Sequence, residues 1–323
     1  MNRISLRIIE TVQELAEVEE IQRQIWPGSE TDVVPTHLLL TAVHNGGLLI
    51  AAFEEELPGE TLGESIFSQP GLNSKKKDRS PGSMVGFVFG FPGLYFTPDG
   101  PRLKHCSHMC GVLPAYRDRG IGFGLKRAQW QMVRHQGLDR ITWTYDPLLS
   151  RNAFLNIARL GAVCNTYLRE VYGTMRDGLN VGLPSDRFQV DWWVSSQRVL
   201  RRLSKHRRRA LDLAHFLAAG VQIINPSSIG SDGLPRPADE MDANSLQDDS
   251  PPFKERSMLL IEIPADFQAL KSADHGLALA WRMHTRQIFE RAFQRGYIVT
   301  DLVHLSGAYP RSFYVLSYGE STL

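Results

Sequence analysis

Apolar residues recur along this chain at two periods, and the switches between them lay out the expected elements. A short apolar stretch at 4–9 predicts a first strand. Thr11 followed by Glu14 has the spacing of a capping box. Leu15, Val18, Ile21 and Ile25 then recur at helical spacing until Pro27-Gly28. Pro35 opens a second predicted helix, to about His44, and 47–53 reads as a buried strand. Strands are expected at 84–91, closed by a turn at Pro92-Gly93, and at 104–112. A helix over 120–136 presents Leu125, Ala128 and Met132 on one face and is capped by Gly137. The alternating stretch 140–145 is a strand. Ser150 is placed to cap a short helix through Leu160, Gly161 stops it, and strands follow at 163–172 and 188–194. Further on come a basic helix at 196–219 and a strand at 258–263. A helix with the stripe Leu277, Trp281, His284, Ile288 and Ala292 precedes strands at 297–304 and 312–317.

Two stretches break the pattern. Residues 54–83 carry Glu54-Glu55-Glu56, Lys75-Lys76-Lys77 and many Gly, Pro and Ser, and are expected as a flexible surface insertion. Residues 226–256 are rich in Pro, Ser, Asp and Gly and read as a linker. Alternation of strands and helices gives an α/β (α+β) class with helices on both faces of a mixed sheet.

Composition narrows the function classes. The 323 residues carry 36 Lys plus Arg against 35 Asp plus Glu, so no global field marks a nucleic-acid or membrane protein. The three cysteines, Cys106, Cys110 and Cys164, suggest no disulfide framework. No apolar run reaches the roughly 20 residues of a membrane span, and the N-terminus lacks a signal-peptide pattern. A cytoplasmic protein is expected. The run Arg198, Arg201, Arg202, Lys205, His206, Arg207, Arg208, Arg209 reads first as a solvated helix face. It lacks the aromatic interleaving of a single-strand platform, so nucleic acid is disfavoured as a partner.

The chemistry concentrates in Arg117-Asp118-Arg119-Gly120-Ile121-Gly122-Phe123-Gly124, between a predicted strand and a predicted helix. A helix N-terminus offers backbone N–H groups and the positive end of a dipole, both suited to phosphate. Glycines allow close approach, and the arginines add charge-assisted pairing. A dinucleotide fingerprint fails because Leu125 stands three residues after Gly122. A Walker loop fails because Gly124 is followed by Leu125, and Lys126 by Arg127. Arg117-x-x-Gly120-x-Gly122 does match [QR]-x-x-G-x-[GA].

With its lead-in Val112-Leu113-Pro114-Ala115-Tyr116, this stretch resembles the strand–loop–helix motif of the GNAT superfamily of acyl-CoA N-acyltransferases. The resemblance covers roughly residues 4–173. It implies a mixed, mostly antiparallel central sheet in an acyl-CoA-binding domain at 1–183, with residues 184–323 as a C-terminal strand–helix–strand extension. It implies that backbone N–H groups from Leu113 through Leu125 hold the pyrophosphate of acyl-CoA, with Arg117, Asp118, Arg119, Gly120, Ile121, Gly122, Phe123 and Gly124 forming the cradle. It also implies that an N–H near Gly111 or Val112 polarises the thioester. Asp146-Pro147-Leu148-Leu149-Ser150-Arg151-Asn152-Ala153 resembles the segment that contacts the coenzyme arm. Asn152 is assigned to a pantetheine amide, and Asn156 to a site-lining role in catalysis. The tyrosine that serves many members as general acid would fall near Ile157, so here the sequence departs from the family.

His108, on the strand before the loop, is the preferred general base. The competing reading is a histidine satisfied within the sheet layer. Cys106, His108 and Cys110 share a strand face, but three ligands on a straight strand spread too far to converge on one ion; no metal is expected. Cys110 has no nameable partner to activate it as a nucleophile. Further likeness to a less studied subgroup, at His108-Met109, Trp143-x-Tyr145-Asp146-Pro147-Leu148, Asn180-x-Gly182-Leu183-Pro184-Ser185-Asp186-Arg187 and Ile263-Pro264-x-Asp266-Phe267, suggests amino acids or related small-molecule amines as acceptors and acetyl or succinyl as the acyl group, with Ala265-Asp266-Phe267 and His284 read as core or turn before acceptor contacts. Asp186 and Arg187 read either as contacts to such an acceptor or as a structural turn pair. A homodimer is left open, and the alternative function is a non-catalytic acyl-CoA sensor.

Overall fold

The computed structural model describes residues 3–28, 30–55, 82–173, 182–204, 211–238 and 258–319. The chain forms two compact units: Met1–Phe91 with His108–Gln129, and Pro92–Ser107 with Trp130–Leu323.

β1 (Arg3–Ile8), β2 (Leu48–Glu55), β3 (Ser83–Thr97) and β4 (Gly100–Val112) follow in sheet order, and the first unit holds β1, β2, β3 as far as Phe91 and β4 from His108. β2 pairs antiparallel with both β1 and β3. Side chains alternate across a strand, and the two faces of β2 take different covers. Leu49, Ala51 and Phe53 pack with Leu15, Val18, Ile21 and Ile25 of α1 (Val12–Ile25) and Leu39 of α2 (Thr36–His44). On the other face β1 places Leu6 opposite Ala52, and Leu6 lies against Gly124 of α3 (Ile121–His135). Thr11 caps α1 as expected, its hydroxyl accepting from the Glu14 N–H and donating to the Glu14 carboxylate at 2.8 Å.

The expected turn at Pro92-Gly93 is not there. β3 runs through both residues, and the chain reverses at Pro98-Asp99 before Gly100, whose φ is +112°. Gly93 serves the strand instead, because a Cβ would stand 2.6 Å from Cys106 Sγ. The buried stripe of α3 is also displaced from expectation. Leu125 is buried, but it is joined by Lys126, Gln129, Trp130 and Val133, while Ala128 and Met132 are half-buried.

The second unit holds the rest of β3 and β4 and, in sheet order after β4, β5 (Arg140–Tyr145), β7 (Arg187–Trp193), β6 (Val163–Leu168), β12 (Tyr297–Leu305), β13 (Arg311–Tyr318), β11 (Met258–Pro264) and β8 (Gln222–Ile223). Neighbours are antiparallel except β4–β5 and β11–β8. The class is therefore mixed and mostly antiparallel, and the C-terminal strand–helix–strand adds to this sheet. Alternation again gives two covered faces. Phe313 and Val315 pack with Phe216 of α6 (Leu213–Ala218), whereas Tyr314 meets Phe289 of α8 (His275–Gln294) edge-on at 5.3 Å. Phe188, Phe289, Phe293, Tyr167 and Tyr145 complete an aromatic core there.

Four more expectations are corrected. The helix after β5 is α4 (Ser150–Ala153) followed by a π-turn at Phe154–Arg159; Ser150 lies inside it rather than capping it. The basic segment is not one helix. α5 (Gln197–Leu203) is separate from α6, and 205–210 lie outside the described residues. Nor are its arginines all solvated: Arg198 Nε donates to the Gly161 carbonyl and Arg202 to that of Ala158, capping the end of the π-turn. The expected linker holds regular structure at its start, where β9 (Ser228–Ile229) pairs with β10 (Pro235–Arg236). Residues 239–257 lie outside the described residues, as do 56–81 of the expected insertion.

Candidate functional site

The loop that drew attention in the sequence is built by the first unit. β4 ends at Val112, a single 3-10 turn spans Pro114–Tyr116, and α3 begins at Ile121. Asp118 and Gly120 adopt left-handed backbone, with φ of 67° and 76°. Glycine suits that conformation without a Cβ penalty. The Gly120 carbonyl accepts from Gly124 N–H at 3.0 Å, so Ile121 and Gly122 head the helix. This is the position where helix N–H groups and the dipole favour an anion.

Several amides of the stretch are committed inside the chain. Leu113 N–H goes to Val85, Tyr116 N–H to Leu113, Arg117 N–H to Pro114 and Gly124 N–H to Gly120. Those four amides of the expected run 113–125 are therefore engaged within the chain. The arginines are held at the loop. Arg117 Nε donates to the Val112 carbonyl at 3.2 Å. Arg119 lies over the Tyr116 ring, 4.8 Å from its centroid, and 4.0 Å from Glu54 Oε1. Tyr116 donates to Glu54 Oε2 at 2.6 Å, a bond that pushes its phenol pKa up. Glu54, which the sequence placed in the insertion, thus belongs to β2 and braces the loop.

Gly111 sits where no side chain fits, since a Cβ would come within 2.6 Å of Trp26 and 3.0 Å of Ile25. Gly86 on β3 backs it closely: a Cβ there would meet the Gly111 carbonyl at 2.7 Å. Val112 lies beside this contact.

His108 stands beside Phe89 and Phe91, with ring centroids 6.1 and 5.8 Å away, and keeps one side exposed. Burial lowers its pKa, so the imidazole is neutral near pH 7. Burial instead pushes the Cys110 thiol up, which removes the thiolate a nucleophile needs. Among the described residues, no group of three or more His, Cys, Asp or Glu is placed to hold a metal ion. Lys126, which the sequence pattern does not single out, is buried on α3; desolvation pushes its ammonium down to about 8, and Nζ lies 3.4 Å from Gln129 Oε1.

The remaining expected residues belong to the second unit. Asn152 is exposed and Asn156 buried, so the pair does not share a face. The π-turn between them adds a residue to the turn and displaces the i,i+4 alignment. Ile157, where a tyrosine acid would fall, is fully buried in the core. Asp186 is a structural residue. It receives Arg286 through two bonds of 2.8 Å, Tyr167 at 2.8 Å and the Glu170 N–H at 3.1 Å. Burial alone would raise its carboxyl, but these hydrogen bonds hold it below the usual range. Arg187 lies over Tyr172, 5.4 Å from the ring centroid. Asp266 caps α7 (Phe267–Ala273) through the Ala269 N–H, and Phe267 is core.

The site is thus a strand that runs through a short loop into a glycine-headed helix, flanked by arginines, in a mixed α/β fold. No family model and no curated protein matches the chain. Among solved structures it is similar to Arabidopsis thaliana NAA60 in complex with acetyl-CoA, at 17% identity over 59% of this chain and 99% of that one, TM-score 0.43. It is also similar to an acetyltransferase of the GNAT family from Desulfovibrio desulfuricans, at 14% identity over 60% and 100%, TM-score 0.40. A third likeness is to the ribosomal-protein-S18-alanine N-acetyltransferase from Escherichia coli, at 14% identity over 60% and 96%, TM-score 0.39.

Proposed function

We propose that this chain is a GNAT-like N-acyltransferase that takes an acetyl or succinyl group from acyl-CoA and gives it to the amine of a small molecule, an amino acid or a close relative. The observation that carries the reading is the loop: left-handed Gly120 turns the strand–loop segment into α3 beside Arg117 and Arg119. Helix-head amides and guanidiniums are the groups suited to a pyrophosphate, and their nearness in this loop supports the reading.

In this reading the neutral amine attacks the thioester carbonyl, and a backbone N–H near Gly111 or Val112 takes the developing oxyanion. His108, neutral because of its burial, accepts the proton of the attacking nitrogen, directly or through one water. The C–S bond then breaks and the thiolate leaves. With Ile157 in the core, the thiolate departs without a tyrosine acid and is protonated by solvent. Asn152 and Asn156 keep their assigned roles as proposals with separate tests: Asn152→Ala raises the acyl-CoA KM, and Asn156→Ala lowers kcat.

A second reading has a specific observation in its favour. The buried Ile157 fits an acyl-CoA sensor that binds and does not turn over. Thiol release from acetyl- and succinyl-CoA, run against L- and D-amino acids and simple amines, separates the two. Amine-dependent release supports the transferase. Binding without release across the panel supports the sensor and rejects the transferase.

A further inference from the structure

The connection between β5 and α4 is a buried loop, and buried loops are rare because their polar groups must all be satisfied away from water. Asp146, Pro147, Leu148 and Ser150 are all buried. Residues far along the chain satisfy them. The Asp146 carboxylate receives both terminal nitrogens of Arg282 on α8, at 2.8 and 2.5 Å, and the Leu148 N–H at 2.9 Å. The Pro147 carbonyl accepts from the Tyr314 hydroxyl of β13 at 2.8 Å, and Tyr145 shares that hydroxyl at 3.0 Å. Ser150 Oγ meets Ser312 Oγ, also on β13, at 2.7 Å, and Ser312 in turn meets His304 Nδ1 on β12 at 3.0 Å.

We infer that Arg282, Ser312 and Tyr314 are positioning residues. They clamp the segment 146–150 and so fix the start of α4, which carries Asn152. The inference rests on the proposed acyl-CoA reading for its consequence, because Asn152 is the residue assigned to the coenzyme arm. The C-terminal region then serves the transferase by fixing this one segment, beyond extending the sheet. A buried ion pair is costly to desolvate and is a poor way to gain stability alone; a bidentate one does fix geometry. Three separate fastenings on five consecutive residues fit a demand for fixed placement.

Arg282→Gln leaves the buried Asp146 carboxylate with only the Leu148 N–H and Arg187, 3.9 Å away, and risks misfolding, so the test rests on Tyr314→Phe and Ser312→Ala, each of which removes one hydroxyl. Both are compared with wild type by near-UV circular dichroism, hydrogen exchange over 146–153, direct CoA binding and steady-state kinetics. The expected result is a folded variant with at least tenfold faster exchange over 146–153. Its acyl-CoA KM rises about fivefold or more, and kcat stays within about twofold. Folded variants with wild-type exchange and wild-type KM overturn the clamp. Wild-type protein that binds no CoA removes the acyl-CoA reading instead; faster exchange in the variants would then still uphold the clamp itself.

Discussion

In the proposed reaction His108 is the general base. Its ring is packed by Phe89 and Phe91, and burial favours the neutral base. A general base contributes roughly 10²–10⁴-fold to rate. His108→Ala is therefore expected to lower kcat by about a hundredfold or more, while the acyl-CoA KM changes less than about threefold. Undiminished turnover at saturating substrates would take His108 out of the mechanism. Because its pKa is lowered, the acid limb of kcat/KM lies below the ordinary imidazole range, and that limb should vanish in His108→Ala. Gly120 makes a second claim at this scale. Its φ of +76° costs an alanine roughly 1–2 kcal/mol, so Gly120→Ala should lower unfolding stability by about that amount in urea titration and weaken CoA binding.

At the scale of elements, the segment from β4 to α3 is fixed by contacts on both sides. Gly111 has no room for a side chain beside Trp26 and Ile25 of the α1 region. Overpacking of this kind costs about 1–3 kcal/mol, so Gly111→Ala is expected to destabilise the protein by that much. An unchanged urea midpoint would show that α1 yields freely. Much of this unit was legible in the chain itself. Thr11 and Glu14, the helical spacing of Leu15 to Ile25 and the glycine spacing of the loop are local signals, and local signals survive into structure. Three things were not legible. Pro92-Gly93 has turn chemistry, but the space Gly93 leaves for Cys106 decided for strand. The π-turn at Phe154–Arg159 has no sequence signature, and it set Asn152 and Asn156 on different faces. Lys126 and Gln129 occupy buried positions that periodicity reserves for apolar residues.

At the scale of the molecule, the second unit rests on ion pairs between residues about a hundred or more positions apart, such as Asp146–Arg282 and Asp186–Arg286. No motif announces such pairs, and this is why Asp186 could be read in the sequence as a contact for an acceptor. The Asp186 carboxyl is held below its usual range in the fold. Its contribution to stability is thus present above the unfolded pKa and lost as pH falls through the folded one. Asp186→Asn leaves Arg286 buried without its carboxylate, at a cost of about 3–5 kcal/mol. The variant should be less stable at neutral pH and should lose less on acidification than wild type; equal acid slopes would contradict the pairing. No helix among the described residues is long and apolar enough to cross a membrane.

The central claim is that the loop from Arg117 to Gly124 holds the pyrophosphate of acyl-CoA for transfer to an amine. Calorimetric titration of the full chain with CoA, beside its 3′-dephospho form, ATP and NAD, tests it most directly. The account predicts saturable binding of CoA, weakened about tenfold or more by Arg117→Ala or Arg119→Ala, with little or no affinity for NAD. Equal affinity of wild type and both arginine variants, or no binding of CoA at all, would contradict it.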